Sequence, residues 1–125
     1  VYAADTANGR IMVLDSKTGQ LGNNIEPNYD GTVQRYVNGA SMSTLINGNE
    51  VGLQKPSGLE LHDGVLYVSD YQSSKIFAFT LNGELIDWLD TGLPSGSLKG
   101  MAIKGDGSIY AIDATGQRIV RFSAR

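Results

Sequence analysis

Cysteine is absent from the 125 residues, which excludes disulfide frameworks, thiolate zinc sites, covalently attached c-type haem and a thiol nucleophile within them. Histidine occurs once, at His62. A catalytic zinc site takes roughly three protein ligands, so His62 cannot build one alone. Positive charge is scarce as well: ten Lys and Arg against thirteen Asp and Glu leave a net charge of −3. Binding to phosphate backbones needs a basic face that releases counterions, so nucleic acid is not an expected partner. No run approaches the ~18 apolar residues of a membrane span. The N-terminus shows no basic segment followed by an apolar one.

What is present is glycine, at 16 positions, among 41% apolar and 18% charged residues. Such a composition suits a turn-rich all-β domain with one core better than a helical bundle or a disordered chain.

Three segments of the sequence align without gaps over their central part. They are 1–5 with 10–13 (VYAAD, RIMV), 66–70 with 75–78 (LYVSD, KIFA) and 109–113 with 118–121 (IYAID, RIVR). In each, an Asp closes an apolar run (Asp5, Asp70, Asp113), and a basic residue followed by Ile stands five positions later (Arg10, Lys75, Arg118). Between them lie Thr6-Ala7-Asn8-Gly9, Tyr71-Gln72-Ser73-Ser74 and Ala114-Thr115-Gly116-Gln117, rich in turn formers, so each segment reads as a hairpin. The strings Pro56-Ser57-Gly58-Leu59-Glu60-Leu61 and Leu98-Lys99-Gly100-Met101-Ala102-Ile103 supply a strand before the second and third hairpins, and 85–89 supplies one after the second.

Strands are therefore expected at 1–5, 10–15, 57–62, 65–70, 75–80, 85–89, 99–103, 108–113 and 118–123, antiparallel to their neighbours, with no helix longer than two turns in 56–123. Tyr67 and Tyr110 set a period of 43 residues, within the ~40–50 of propeller blades. Leu66 and Val68 fall on one face and Tyr67 on the other, and both faces are apolar, as in a sheet covered on both sides. The first interval, Tyr2 to Tyr67, is 65 residues. The excess lies in 21–55, an Asn/Gly/Tyr/Thr-rich stretch that reads as a long loop with a strand-like run at 32–37. It is either a functional loop or a neutral elaboration.

The string Pro56-Ser57-Gly58-Leu59, Gly64-Val65-Leu66-Tyr67-Val68-Ser69-Asp70, Lys75-Ile76 resembles the NHL repeat: Pro-x-Gly, an apolar strand, a Gly turn, an apolar-aromatic strand ending in Asp, then Arg or Lys before a further apolar strand. The third copy matches with Leu98 in place of Pro, and the first only from its second strand onward. The resemblance implies an all-β fold of four-stranded antiparallel β-propeller blades in an incomplete ring: a partial blade over 1–20, an insertion over 21–55, a full blade over 56–97 and a partial blade over 98–125. Either the rest of a longer polypeptide or further copies of the chain would complete that ring. The family includes lyases, sensor domains and protein or RNA binders, so the fold does not choose the function.

Each candidate for chemistry has a plainer reading beside it. Asp5, Asp70 and Asp113 stand where a carboxylate accepts turn N–H groups or faces Arg10, Lys75 and Arg118, and a residue that appears once per repeat serves the repeat. Gly58 and Gly100 belong to the same structural set. Asp30-Gly31, Asp63-Gly64 and Asp106-Gly107 are isolated turn pairs with no calcium-loop spacing, and no Ser, including Ser57, Ser95 and Ser97, lies in a nucleophile motif. Trp88, within an apolar run, reads as packing.

In an up-and-down blade alternate connections fall at opposite ends. The three hairpin turns would then share an end with the links 51–55 and 91–97, and His62 and Asp106 would lie at the other. A ligand or partner face is accordingly expected at Asn8, Tyr71, Gln72, Ser73, Ser95, Thr115 and Gln117. The expected function is a non-enzymatic scaffold or recognition module in an extracytoplasmic setting, binding a protein or other ligand, with no catalytic residue, metal or cofactor assigned. The alternative is part of a propeller lyase or hydrolase whose metal ligands or acid–base residues come from other blades.

Overall fold

The computed structural model describes residues 1–27 and 29–123; the chain end beyond 123, where the expected third-copy segment finishes, lies outside the described residues. Twelve strands and one short helix are found among them: β1 (Tyr2–Asp5), β2 (Arg10–Asp15), β3 (Gln20–Pro27), β4 (Val33–Asn38), β5 (Ser41–Asn47), α1 (Gly48–Val51), β6 (Pro56–His62), β7 (Val65–Asp70), β8 (Lys75–Phe79), β9 (Leu85–Asp90), β10 (Leu98–Ile103), β11 (Ile109–Asp113) and β12 (Arg118–Phe122). The protein is all-β. No helix among the described residues is long and apolar enough to cross a membrane.

The strands form four antiparallel sheets, in the orders β1-β2-β5, β6-β7-β8-β9, β10-β11-β12 and β3-β4. The first three are copies of one unit. Asp5 pairs with Arg10 at the end of the β1–β2 ladder, and Asp113 pairs with Arg118 at the same place in β11–β12. The expected strands are present within one or two residues. The long loop is not: 21–55 is mostly strand. Its last part, β5, pairs with β2 from Asp15↔Ser41 to Arg10↔Asn47 and so takes the place that β9 holds beside β8. Only β3 and β4 are additional, a hairpin inserted where the second copy has the short turn 80–84.

The three main sheets pack face to face. Between the first and second lie Ile11, Ile46, Leu53, Leu66, Val68, Phe77 and Phe79, all buried. Between the second and third lie Ile76, Leu98 and Ala111, flanked by Tyr67, Met101, Ile109, Val120 and Phe122. The two-sided apolar pattern of β7 and β8 follows from this, since their alternate residues enter different cores. Fully burying a Leu or Phe side chain is worth about 1.5–3 kcal/mol, so these two layers dominate the stability.

Polar ties fix how closely the sheets approach. Buried Ser69 donates to the Lys99 carbonyl at 2.9 Å, Ser57 donates to the Leu98 carbonyl at 3.0 Å, and Thr6 donates to the Pro56 carbonyl at 2.7 Å. A Cβ on Gly58 would stand 2.8 Å from Ser69 Oγ, 3.2 Å from the Lys99 carbonyl oxygen and 3.3 Å from the Gly100 Cα. Gly58 and Gly100 therefore meet where β6 and β10 come nearest, and a side chain on Gly58 would push the third sheet away.

Candidate functional site

The repeated element is a six-residue turn that opens with Asp and ends with the basic residue. Its fifth residue is left-handed in all three copies: Gly9 at φ 63°, Ser74 at 55° and Gln117 at 51°. Ser74 and Gln117 pay for this with backbone strain that glycine avoids, and the surroundings hold them there. The Ser74 N–H bonds to the Asp70 carbonyl at 2.9 Å, and its hydroxyl donates to the Pro94 carbonyl at 2.7 Å.

The three aspartates use different partners for one purpose. Arg10 Nε donates to Asp5 at 2.7 Å and the Asn8 amide adds two further bonds, so Arg10 first and Asn8 second hold the Asp5 carboxyl below the ordinary range. Asp113 accepts from the Gly116 N–H and from Arg118 Nε, both at 2.9 Å, and is lowered by them in that order. Asp70 is fully buried and meets no cation among the described residues. Its Oδ1 accepts from the N–H groups of Lys55 (2.9 Å) and Gln72 (3.0 Å), and its Oδ2 from the Gln54 N–H (2.9 Å) and the Ser73 hydroxyl (2.8 Å). Lys75 does not face Asp70; its ammonium lies 4.4 Å from the centre of the Trp88 ring. The basic residue of the middle copy is thus freed by the link 54–55, which supplies donors that the other two aspartates find in an Arg.

Asp30 and Asp106 have lowered carboxyl pKa values too, from the Thr32 hydroxyl and N–H at Asp30 and from the Ser108 N–H and hydroxyl at Asp106. Both serve local turns, as does Asp63-Gly64, where φ of 47° and 73° gives the two-residue hairpin turn. His62 Nε2 lies 3.3 Å from Asp63 Oδ2.

The turns are hydrogen bonded to the links between sheets. The Gly48 N–H reaches the Gly9 carbonyl (3.0 Å), the Tyr71 N–H the Lys55 carbonyl (2.8 Å), the Gly96 N–H the Tyr71 carbonyl (2.8 Å), and the Ala114 N–H the Ser97 carbonyl (2.7 Å). Of the seven residues assigned to a partner face, three have side chains hydrogen bonded within the fold: the Asn8 amide nitrogen and the Ser73 hydroxyl donate to Asp5 and Asp70, and the Thr115 hydroxyl accepts from the Ser97 hydroxyl at 2.9 Å. Gln72, Ser95 and Gln117 are exposed. The half-buried Tyr71 ring carries the Lys99 ammonium 3.7 Å from its centre. Lys99 was not singled out from the sequence, and only the alignment of β10 beside the 71–74 turn brings it there.

Trp88 is not core packing: it is 52% exposed, and the Lys75 ammonium lies over its ring. With Leu89, Ile76, Ala78, Tyr67 and Ile109 it lines an open groove of about 490 Å³ between the β9 face and the third sheet. Trp88 lies opposite Phe77 on the edge strand β9, every residue of which is exposed, whereas the first sheet packs on Phe77 and Phe79 of β8. No protein-family model and no curated protein matches the sequence.

Proposed function

We propose that the chain is part of an NHL-type β-propeller that acts as a non-enzymatic recognition module, binding a protein or other ligand through the end that carries the three Asp-led turns. The three stacked copies support the propeller reading, each with the same Asp, left-handed and basic positions. So does the groove beside Trp88, which has the place and the apolar lining that a fourth strand laid along β12 would fill. The link-to-turn hydrogen bonds carry the choice of end. They pin the turn backbones rigidly while Gln72, Ser95, Gln117 and the Tyr71–Lys99 pair remain at the surface. Rigid elements presenting an aromatic ring and spare amide groups suit binding at low entropic cost. The acidic set suits structure instead of proton transfer, because donors keep Asp5 and Asp113 ionised and Asp70 has both oxygens doubly occupied.

Photo-crosslinking residues placed at Gln72 and Gln117, and separately at Asp63 and Asp106, test the choice of end in the cell that makes the protein. The reading requires discrete adducts from the first pair and none from the second. Adducts from Asp63 and Asp106 alone would reverse it.

A further inference from the structure

The sequence contains four Asn-Gly pairs: Asn8-Gly9, Asn38-Gly39, Asn47-Gly48 and Asn82-Gly83. Asn-Gly is the dipeptide most open to intramolecular deamidation, because the glycine amide nitrogen can reach the Asn side-chain carbonyl carbon without a Cβ in the way. Attack needs that nitrogen free. A glycine N–H already donating to a carbonyl is held out of the reaction until the bond opens.

Three of the four are held. The Gly9 N–H donates to the Thr6 carbonyl (3.4 Å), the Gly48 N–H to the Gly9 carbonyl (3.0 Å) and the Gly83 N–H to the Thr80 carbonyl (3.0 Å). The Gly39 N–H makes no hydrogen bond among the described residues. Asn38 and Gly39 are both exposed, at the point where β4 ends and the chain turns back into β5. Gly39 has nothing within 4 Å of where a Cβ would stand, so no neighbour crowds that side of its backbone.

We infer that Asn38 is the site at which this protein deamidates in its folded state. The Gly39 nitrogen, losing its proton to solvent base, bonds to Asn38 Cγ, and the side-chain nitrogen leaves as ammonia. The resulting succinimide takes up one water, opening at either carbonyl to aspartate or isoaspartate. No oxidant, metal or enzyme is required. The product places a new negative charge, and in the isoaspartate an extra backbone methylene, at the junction of the β3–β4 hairpin with the first sheet.

Incubation of the folded protein at mildly alkaline pH, followed by tandem mass spectrometry of its peptides, reads all four sites together by the mass difference of ammonia lost and water gained. A urea-unfolded sample gives each site's intrinsic rate. Relative to that control, Asn38 should convert roughly fivefold faster or more than each of the others, the factor one hydrogen bond of ordinary net strength is worth. Asn38→Gln should abolish most of the acidic species seen by charge separation, and Asn47→Gln should leave them. If Asn8, Asn47 or Asn82 converts as fast as Asn38 in the folded protein, or Asn38→Gln keeps the acidic species, the assignment is overturned.

Discussion

Replacing Asp70 tests most sharply what the repeated aspartate does. Its carboxylate is fully buried and accepts four hydrogen bonds, two on each oxygen, three of them from backbone N–H groups. Asp70→Ala strands those donors. A buried donor left unsatisfied costs about 1–3 kcal/mol, and water can re-enter beside Gln54 and Lys55, which are exposed residues, so the expected loss is about 2–4 kcal/mol rather than the full sum. Asp70→Asn is the finer test. Its NH2 must replace one oxygen: at Oδ1 it opposes the N–H groups of Lys55 and Gln72, and at Oδ2 that of Gln54, where the Ser73 hydroxyl can turn to accept, so about 1–3 kcal/mol should still be lost. Urea unfolding at neutral pH measures both, with an unchanged slope showing that the unfolded state is not the cause. An Asp70→Asn midpoint equal to wild type would refute the reasoning, since it would mean that the doubly occupied carboxylate is dispensable.

Further outcomes follow from the same geometry. Lys75→Ala should cost only about 0.5–1 kcal/mol, the worth of an exposed cation–π contact, because Lys75 lies over Trp88 and not beside Asp70; a loss as large as that of Asp70→Ala would contradict this. Asp5 and Asp113 have folded-state pKa values below their unfolded ones, so the unfolded chain binds more protons as pH falls through and below the ordinary carboxylate range. Their stabilisation should therefore be complete above about pH 5 and be lost on acidification, and an Asp5→Asn/Asp113→Asn double variant should show a flatter acid slope of the urea midpoint. Equal slopes would exclude them as the cause. Gly58→Ala should destabilise by about 1–3 kcal/mol through overpacking between β6 and β10. Replacing 16–40 with the turn 80–84 should leave the thermal midpoint near wild type, because a two-stranded hairpin adds little stability by itself; a cooperative collapse on deletion would show that β3 and β4 belong to the core.

The parts legible in the sequence were those where burial dictates residue type. Strands β6 to β12 could be placed because Leu66, Val68 and Phe77 enter one core while Ile76 and Ala111 enter the other, flanked by Tyr67 and Ile109, which forces apolar residues onto both faces of the middle sheet. Strand β5 was hidden. Its sequence, SMSTLIN, is largely exposed, and only Leu45 and Ile46 mark it. A comparison with β9 could have found it, since each first-copy ladder lacks a third partner without it. The left-handed Ser74 and Gln117 were also hidden, because nothing in either residue demands φ above zero; the signal was Gly9 at the same repeat position. Half of the Asp70 cage, the Gln72 N–H and the Ser73 hydroxyl, lies in its own turn as expected; the other half could not be read, because its donors are backbone atoms of the distant link 54–55. Trp88 was misread because an apolar run implies burial, whereas β9 is the rim strand of its sheet and every one of its residues is exposed.

The absence of cysteine makes one direct measurement clean, since two introduced cysteines would carry the only spin labels. Ala7, Gln72 and Thr115 are the third residue of the same turn in successive copies and are exposed, so pulsed electron-spin distances for the pairs 7/72 and 72/115 should agree within the width of the labels, and the pair 72/106 should be longer than either. Unequal distances for the first two pairs, or a label at 106 as close to 72 as the label at 115, would contradict the account of three stacked copies presenting their turns at one end.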